Sequence, residues 1–192
     1  MVTKILIFVA AFLLVSSEHH TEISSASLHT NSSPKQIIFK PFGEYYGETK
    51  NGTRYKKKYY FFEHFKSTWI NAKIICKAFN LELATFETKD EADNFLKKTA
   101  AIKHFQDNNE AYVLVDGMTF MSELPMHFYW TNSGLKIPYN LTWAEGEPTN
   151  GYKDENCLSI GRANKNETLG FNDINCNENV AEFLCQQTML IQ

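Results

Sequence analysis

Late in the 192-residue chain, five residues whose side chains present oxygen atoms could hold a cation together: Glu147, Thr149, Glu155, Asn172 and Asp173. Calcium takes six to eight oxygen ligands, and three carboxylates in such a set suit a divalent ion. Asn150, beside Thr149, offers a further amide. Taken singly, acids and amides of this kind are most often solvated loop residues, and Asn172 with Asp173 also suits a turn. Their joint placement around Cys157 and Cys176 sets them apart. A hydrolytic site would use Glu147 and Glu155 as flanking carboxylates, but as cation ligands both are held ionised and neither can serve as the acid. No enzyme is therefore expected. The six histidines show no metal spacing, and His19 and His20 lie near the N-terminus.

The four cysteines, Cys76, Cys157, Cys176 and Cys185, narrow the compartment. Zinc sites bring their ligands in close pairs two to four residues apart, and none of these has such a partner. In an oxidising compartment they supply two disulfides, in any of three connectivities. Residues 1–17 point to that compartment: Lys4 gives a positive start, Ile5 to Val15 is an apolar run, and Ser16 and Ser17 are small residues at a cleavage point. The run falls short of the roughly 20 residues that cross a bilayer, so a signal peptide and a secreted, extracellular product are expected, with no membrane span. Acceptor sequons begin at Asn31, Asn51, Asn140 and Asn166, in keeping with a glycoprotein.

A formal net charge of -3 and the lack of a basic stripe argue against nucleic acid as a partner. The one dense basic run, Arg54 with Lys56, Lys57 and Lys58, reads as a solvated strand edge.

The elements that must position the oxygen ligands are legible from periodicity. Residues 18–36 are polar, without heptads, and read as a flexible leader before a single domain over 37–192. Ile37 to Phe62 alternates strand-like pieces with turns at Gly43, Gly47 and Asn51-Gly52, ending in the aromatic strand Tyr59 to Phe62. A helix from about Thr68 carries Trp69, Ala72, Cys76 and Phe79 on one face. A second is announced by the capping box of Thr88 and Glu91, with Ala92, Phe95, Leu96 and Ala100 as its buried stripe. Strands are expected at Tyr112 to Val115, Phe128 to Trp130, Cys157 to Ile160 and Ala181 to Cys185. Strands, two helices, then strands make an α+β fold. Between Trp130 and Cys157 lies a stretch rich in glycine, proline and polar residues, too long for a plain connector and therefore a functional loop.

Several stretches together resemble the C-type lectin-like domain: the aromatic strand, the helix with Trp69 and Cys76, Leu83-Ala84-Thr85 leading into Glu91, Trp143, Glu147-Pro148-Thr149, Glu155 before Cys157, Phe171-Asn172-Asp173-Ile174-Asn175-Cys176, and Cys185. The resemblance covers roughly Phe39 to Gln187, and the short secreted lectins of insects are similar in pattern. It implies two helices with antiparallel sheets, a long calcium- and sugar-binding loop, and disulfides Cys76 to Cys185 and Cys157 to Cys176. It also implies Glu147, Thr149, Glu155, Asn172 and Asp173 as calcium ligands, with the Asp173 carbonyl added and Pro148 in cis. Two remaining coordination positions would take adjacent hydroxyls of a sugar, contacted by Glu147, Thr149, Asn150, Glu155 and Asn172.

Two departures bear on these expectations. Where the family shows Trp-Ile-Gly-Leu in its central strand, this chain has Val113-Leu114-Val115-Asp116. Where mannose-type relatives carry Glu-Pro-Asn and galactose-type relatives Gln-Pro-Asp, it has Glu147-Pro148-Thr149 followed by Asn150. Glu147 places it nearer the mannose type, and Asn150 is the alternative ligand to Thr149. The expected partners are glycans or glycoproteins. Single sites of this kind are weak, so avidity calls for an oligomer, although the leader offers no coiled coil to build one. The alternative is a lectin-like fold that binds a protein partner without calcium or sugar.

Overall fold

A computed structural model describes residues 25–27, 36–49, 51–107, 111–120, 126–138, 140–149, 154–162, 164, 166–178 and 180–191. The expected signal peptide, the sequon at Asn31 and the alternative ligand Asn150 lie outside these residues. The elements in chain order are β1 (Ser25–Ser27), β2 (Gln36–Ile38), β3 (Lys40–Glu48), β4 (Arg54–Ser67), α1 (Trp69–Ala78), β5 (Glu82–Leu83), α2 (Lys89–Ala100), α3 (Lys103–Asp107), β6 (Ala111–Thr119), β7 (Phe128–Tyr129), β8 (Cys157–Arg162), β9 (Gly170–Ile174) and β10 (Ala181–Leu190). β1, which falls in the segment read as leader, pairs antiparallel with β2.

Among the described residues the main sheet runs β3-β4-β10-β6-β8-β9, with β5 paired to β10 and β7 to β6. It is mixed rather than purely antiparallel, because β10 lies parallel to β6 through Glu182 opposite Val113 and Phe183 opposite Leu114. The two are joined by the long stretch that carries the remaining strands, which gives the chain the length a parallel pairing needs. The short α3 is an addition to the two helices expected, since five residues are too few to show a helical stripe. β9 is likewise an addition: Asn172 and Asp173, residues that suit a turn, here lie within a strand laddered to β8, with Asp173 opposite Leu158 and Asn172 opposite Ser159.

Both faces of the sheet are covered, and the period of two distributes neighbours between them. Val113 and Val115 enter one core with Phe61, Phe86, Phe95, Trp130, Ile160, Phe171 and Leu184. Leu114 enters the other with Phe62, Trp69, Ala72, Cys76, Phe183 and Cys185. The departure from the family pattern in β6 therefore costs no apolar surface. Trp69 adds a hydrogen bond from its Nε1 to the Val115 carbonyl at 2.7 Å. Asp116, buried at the end of this apolar run, accepts from the Thr131 hydroxyl at 2.5 Å and the Asn132 amide at 3.2 Å, and Lys73 of α1 pairs with it at 3.4 Å.

The helices sit where their caps place them. Thr68 caps α1, accepting from the Asn71 amide, and Trp69, Ala72 and Cys76 form its buried side. In α2 the Glu91 amide donates to Thr88 Oγ1 at 3.2 Å, the first half of the expected capping box. The return half is displaced by one residue, for the Glu91 carboxylate accepts from the amide of Glu87 rather than of Thr88. Its buried stripe is Ala92, Phe95, Leu96 and Thr99; Ala100, expected there, is exposed because Thr99 already occupies the position one turn after Phe95.

One expectation about charge is overturned. Lys57 does not lie on a solvated edge: β4 is flanked by β3 and β10, and Lys57 is only 1% exposed. It shares the inward phase of the strand with Tyr55, Tyr59 and Phe61. Its ammonium donates to the Thr85 carbonyl at 2.9 Å and pairs with Glu87 and Glu91.

The disulfides are Cys76 to Cys185 and Cys157 to Cys176. The first spans 109 positions and joins α1 to β10, for which loop-closure entropy gives about 5 kcal/mol. The second spans 19 positions, corresponds to about 3 kcal/mol, and fastens the end of β9 to the start of β8.

Candidate functional site

The functional loop is sewn to β9 before it reaches the predicted ligands. Trp143 bridges Phe171 in parallel, the Ala144 amide donates to the Phe171 carbonyl at 2.8 Å, and the Phe171 amide donates to the Thr142 carbonyl at 2.9 Å. This approach needs Gly170, where an added Cβ would lie 2.3 Å from the carbonyl carbon of Trp143 and the nitrogen of Ala144. The loop is also tied to α2, since the Thr142 hydroxyl donates to Asp93 at 2.9 Å and accepts from Lys89 at 3.0 Å. Lys89 and Thr142 hold the Asp93 carboxyl below its usual range, the lysine hydrogen bond being the larger cause.

From this anchor a turn follows, in which the Glu147 amide donates to the Ala144 carbonyl at 3.1 Å and Gly146 takes a φ of 83°, a conformation that favours glycine. The Glu147–Pro148 bond is cis, as the resemblance implied. The next residue brings the site together. The backbone amide of Thr149 donates both to Glu147 Oε2 at 3.0 Å and to Asp173 Oδ1 at 3.1 Å. Two carboxylates from separate parts of the chain thus meet on one N–H group.

The electrostatics follow from that meeting. Burial first, then the hydrogen bond and charge of Asp173, push the Glu147 carboxyl up to about 7, against a smaller opposing effect from Thr149. Two acids so placed favour either a proton or a cation between them. Asp173 is 1% exposed on β9 and its neighbour Asn172 is 9% exposed. Thr149 is exposed at the protein surface. Glu155 is half-buried two residues before Cys157, in a segment held by the Thr119 amide donating to the Asn156 carbonyl at 2.8 Å.

The structure therefore joins Glu147, Thr149 and Asp173 by hydrogen bonds, and the β8–β9 ladder with its disulfide sets Asn172 and the segment of Glu155 in the same part of the fold. Among the described residues no three His, Cys, Asp or Glu side chains are gathered in a metal-binding group. The hard oxygens of Glu147 and Asp173 fit calcium in type, while the six to eight ligands it takes would draw on more than this pair.

Sequence reasoning missed a second polar cluster. Around Lys57 lie Glu87, Glu91, whose carboxylate accepts from the Tyr59 hydroxyl at 2.5 Å, and Thr85, whose amide donates to Gln186 Oε1 at 2.9 Å. Its signal was present in β4: Lys57 falls on the same alternate phase as Tyr55, Tyr59 and Phe61, so it had to face inward.

Comparison with known proteins follows the same lines. The chain is 24% identical over 138 residues to the mouse low affinity immunoglobulin epsilon Fc receptor, matching 72% of this chain and 36% of the receptor, so it spans about a third of that relative's length. The C-type lectin domain of murine dendritic cell inhibitory receptor 2, solved in complex with an N-glycan, superposes with a TM-score of 0.54 at 19% identity, over 69% of this chain and 91% of that one. The Ca2+-independent C-type lectin SPL-2 from Saxidomus purpuratus superposes with a TM-score of 0.52 at 18% identity, over 68% of this chain and 86% of that one. These likenesses are of fold, and they are to lectin and receptor domains rather than to enzymes. The family model for the lectin C-type domain matches residues 65–187, from the end of β4 to β10, and this chain belongs to the C-type lectin domain family.

Proposed function

We propose that this protein is a secreted lectin that binds carbohydrate through a calcium ion, with mannose-type sugars preferred to galactose. One observation supports the reading above others: Glu147 and Asp173 converge on the Thr149 amide, in a loop fastened to β9. A cation placed against this pair would offset the burial and the neighbouring Asp173 charge that raise Glu147. Thr149, Glu155, Asn172 and Asn150 or a sugar would complete its oxygen shell, and adjacent sugar hydroxyls would donate to the carboxylates and accept from the amides. The folded domain begins near residue 37, and the residues before it act as signal and leader. Retention on mannose-agarose, lost on adding chelator and restored by calcium, tests the reading.

A second reading is calcium-independent recognition. It is favoured by the lack, among the described residues, of a group of three metal-binding side chains, and SPL-2 carries a calcium-independent description on a similar fold. Retention unaffected by chelator supports it. No retention on any sugar resin supports a protein partner instead.

A further inference from the structure

A groove of about 500 Å3 opens between the β3–β4 turn and the start of the Trp130–Cys157 loop, and Glu147, Thr149 and Asp173 are not among its lining residues. Its walls are mainly apolar: Tyr55 and Trp130 lie deep, Leu135 and Pro138 stand toward the rim, and Asn51 is one of its lining residues. That size and character suit a small amphipathic group rather than bulk water. Leu135 is among the most exposed large apolar side chains of the described residues.

Tyr55 lines the groove, while its hydroxyl is sealed from it. Tyr55 is 4% exposed, and its hydroxyl has no hydrogen-bond partner among the described residues. Its ring lies across Gly47 of β3, where an added Cβ would come within 2.4 Å of the hydroxyl oxygen. Burial first, and then Glu91 and Glu87, push its ionisation well up, so it stays a neutral donor at physiological pH.

Asn51 is itself part of an acceptor sequon, Asn51-Gly52-Thr53, exposed at the tip of the turn. The turn is closed by the Thr49 amide donating to the Thr53 carbonyl at 2.8 Å and the Gly52 amide to the Thr49 carbonyl at 2.9 Å. The two disulfides belong to the oxidising compartment in which such sequons are modified. We propose that Asn51 carries an N-linked glycan and that its first N-acetylglucosamine folds back into this groove, lying on Leu135 and Pro138 above the Tyr55 ring. Transfer forms a bond from Asn51 Nδ2 to the sugar C1, breaks the C1–O bond of a lipid-pyrophosphate oligosaccharide donor, and releases the lipid pyrophosphate and a proton. The acetamido methyl and sugar face meet the apolar wall. Covalent attachment at the wall keeps the effective concentration of the sugar high. The glycan here is a structural part of the domain, separate from any glycan the protein recognises.

The test uses the full chain secreted from a glycosylating host, with Asn31, Asn140 and Asn166 changed to Gln so that one sequon remains. Mass spectrometry should find the glycan on Asn51. Thr53→Ala, which abolishes the sequon but keeps Asn51, should lower the melting temperature by about 2 to 4 °C. Trimming to a single N-acetylglucosamine should leave the melting temperature unchanged. Leu135→Ser should lower it only when the sugar is present, and leave it unchanged or raised in the Thr53→Ala background. An unmodified Asn51, or an equal effect of Leu135→Ser with and without the sugar, overturns the proposal.

Discussion

Lys57 of β4 and Glu91 of α2 form an ion pair at 2.9 Å with both side chains buried. It welds the central sheet to the helix that anchors the functional loop, because Glu91 also accepts from Tyr59 and from the Glu87 amide. Removing one partner of a buried pair leaves an uncompensated charge, which costs about 3 to 5 kcal/mol. Lys57→Met should therefore lower the melting temperature by about 10 °C. Its pH dependence is equally defined. Burial pushes Glu91 up, Lys57 pulls it down and Glu87 pushes it up, with a net upward shift. A carboxyl raised in the folded state contributes stability that is present below its unfolded value and lost as pH rises. Without Lys57 that loss grows, so the deficit of the variant should shrink between pH 7 and pH 5. Thermal melts across that range check it, and a deficit that widens in acid refutes the assignment.

Calcium should raise the melting temperature and protect the loop between Trp143 and Cys157 from protease, since an ion at the proposed site would favour the folded state. Asp173→Ala removes a carboxylate that meets Glu147 at the Thr149 amide, so it should abolish both the shift and retention on mannose-agarose. The two disulfides should keep that variant folded. Sugar retention by Asp173→Ala would overturn the site.

Thr149→Asn lengthens the side chain and adds an amide that both accepts and donates. It should tighten mannose binding by about 1.5 to 3 kcal/mol, the worth of a hydrogen bond to a charged group. Glycan-array titration of Thr149→Asn and Asn150→Ala together decides between the two residues. Loss of binding in the second with no change in the first assigns the role to Asn150.

Gly170→Ala should detach the loop from β9, because its Cβ would collide with backbone atoms of Trp143 and Ala144 that cannot rotate away. Overpacking of this kind costs about 1 to 3 kcal/mol. Limited proteolysis should show faster cleavage within the loop, and sugar retention should fall with it. An unaltered digestion pattern would show that the loop holds without this contact.

The cap of α2 was legible because Thr88 acts locally on an amide three residues ahead. The disulfide pairing and the cis bond at Pro148 followed from family resemblance, since neither spacing nor periodicity selects one connectivity from three. β9 was hidden because Asn172 and Asp173 disfavour strands; the β8 ladder and the Trp143 bridge override that preference. The burial of Lys57 was masked by its charged neighbours, although its alternation with Tyr55, Tyr59 and Phe61 puts it on the inward phase. The Glu147–Asp173 meeting depends on tertiary contacts through Gly170, to which no local pattern points.

The two ends of the main sheet path, β3 and β9, face the hazard of all outer strands, whose free amides and carbonyls invite a strand from another molecule. β3 deters this with Pro41, a register shift between Pro41 and Gly43, and the charges of Glu44 and Glu48. β9 has short length and one further protection: Phe171 spends its outward amide and carbonyl on Thr142 and Ala144 of the loop. The loop that carries the proposed sugar site is thus also a guard against aggregation. Anything that lifts it from β9 uncovers a strand of five residues, and the protein would lose solubility together with its binding activity.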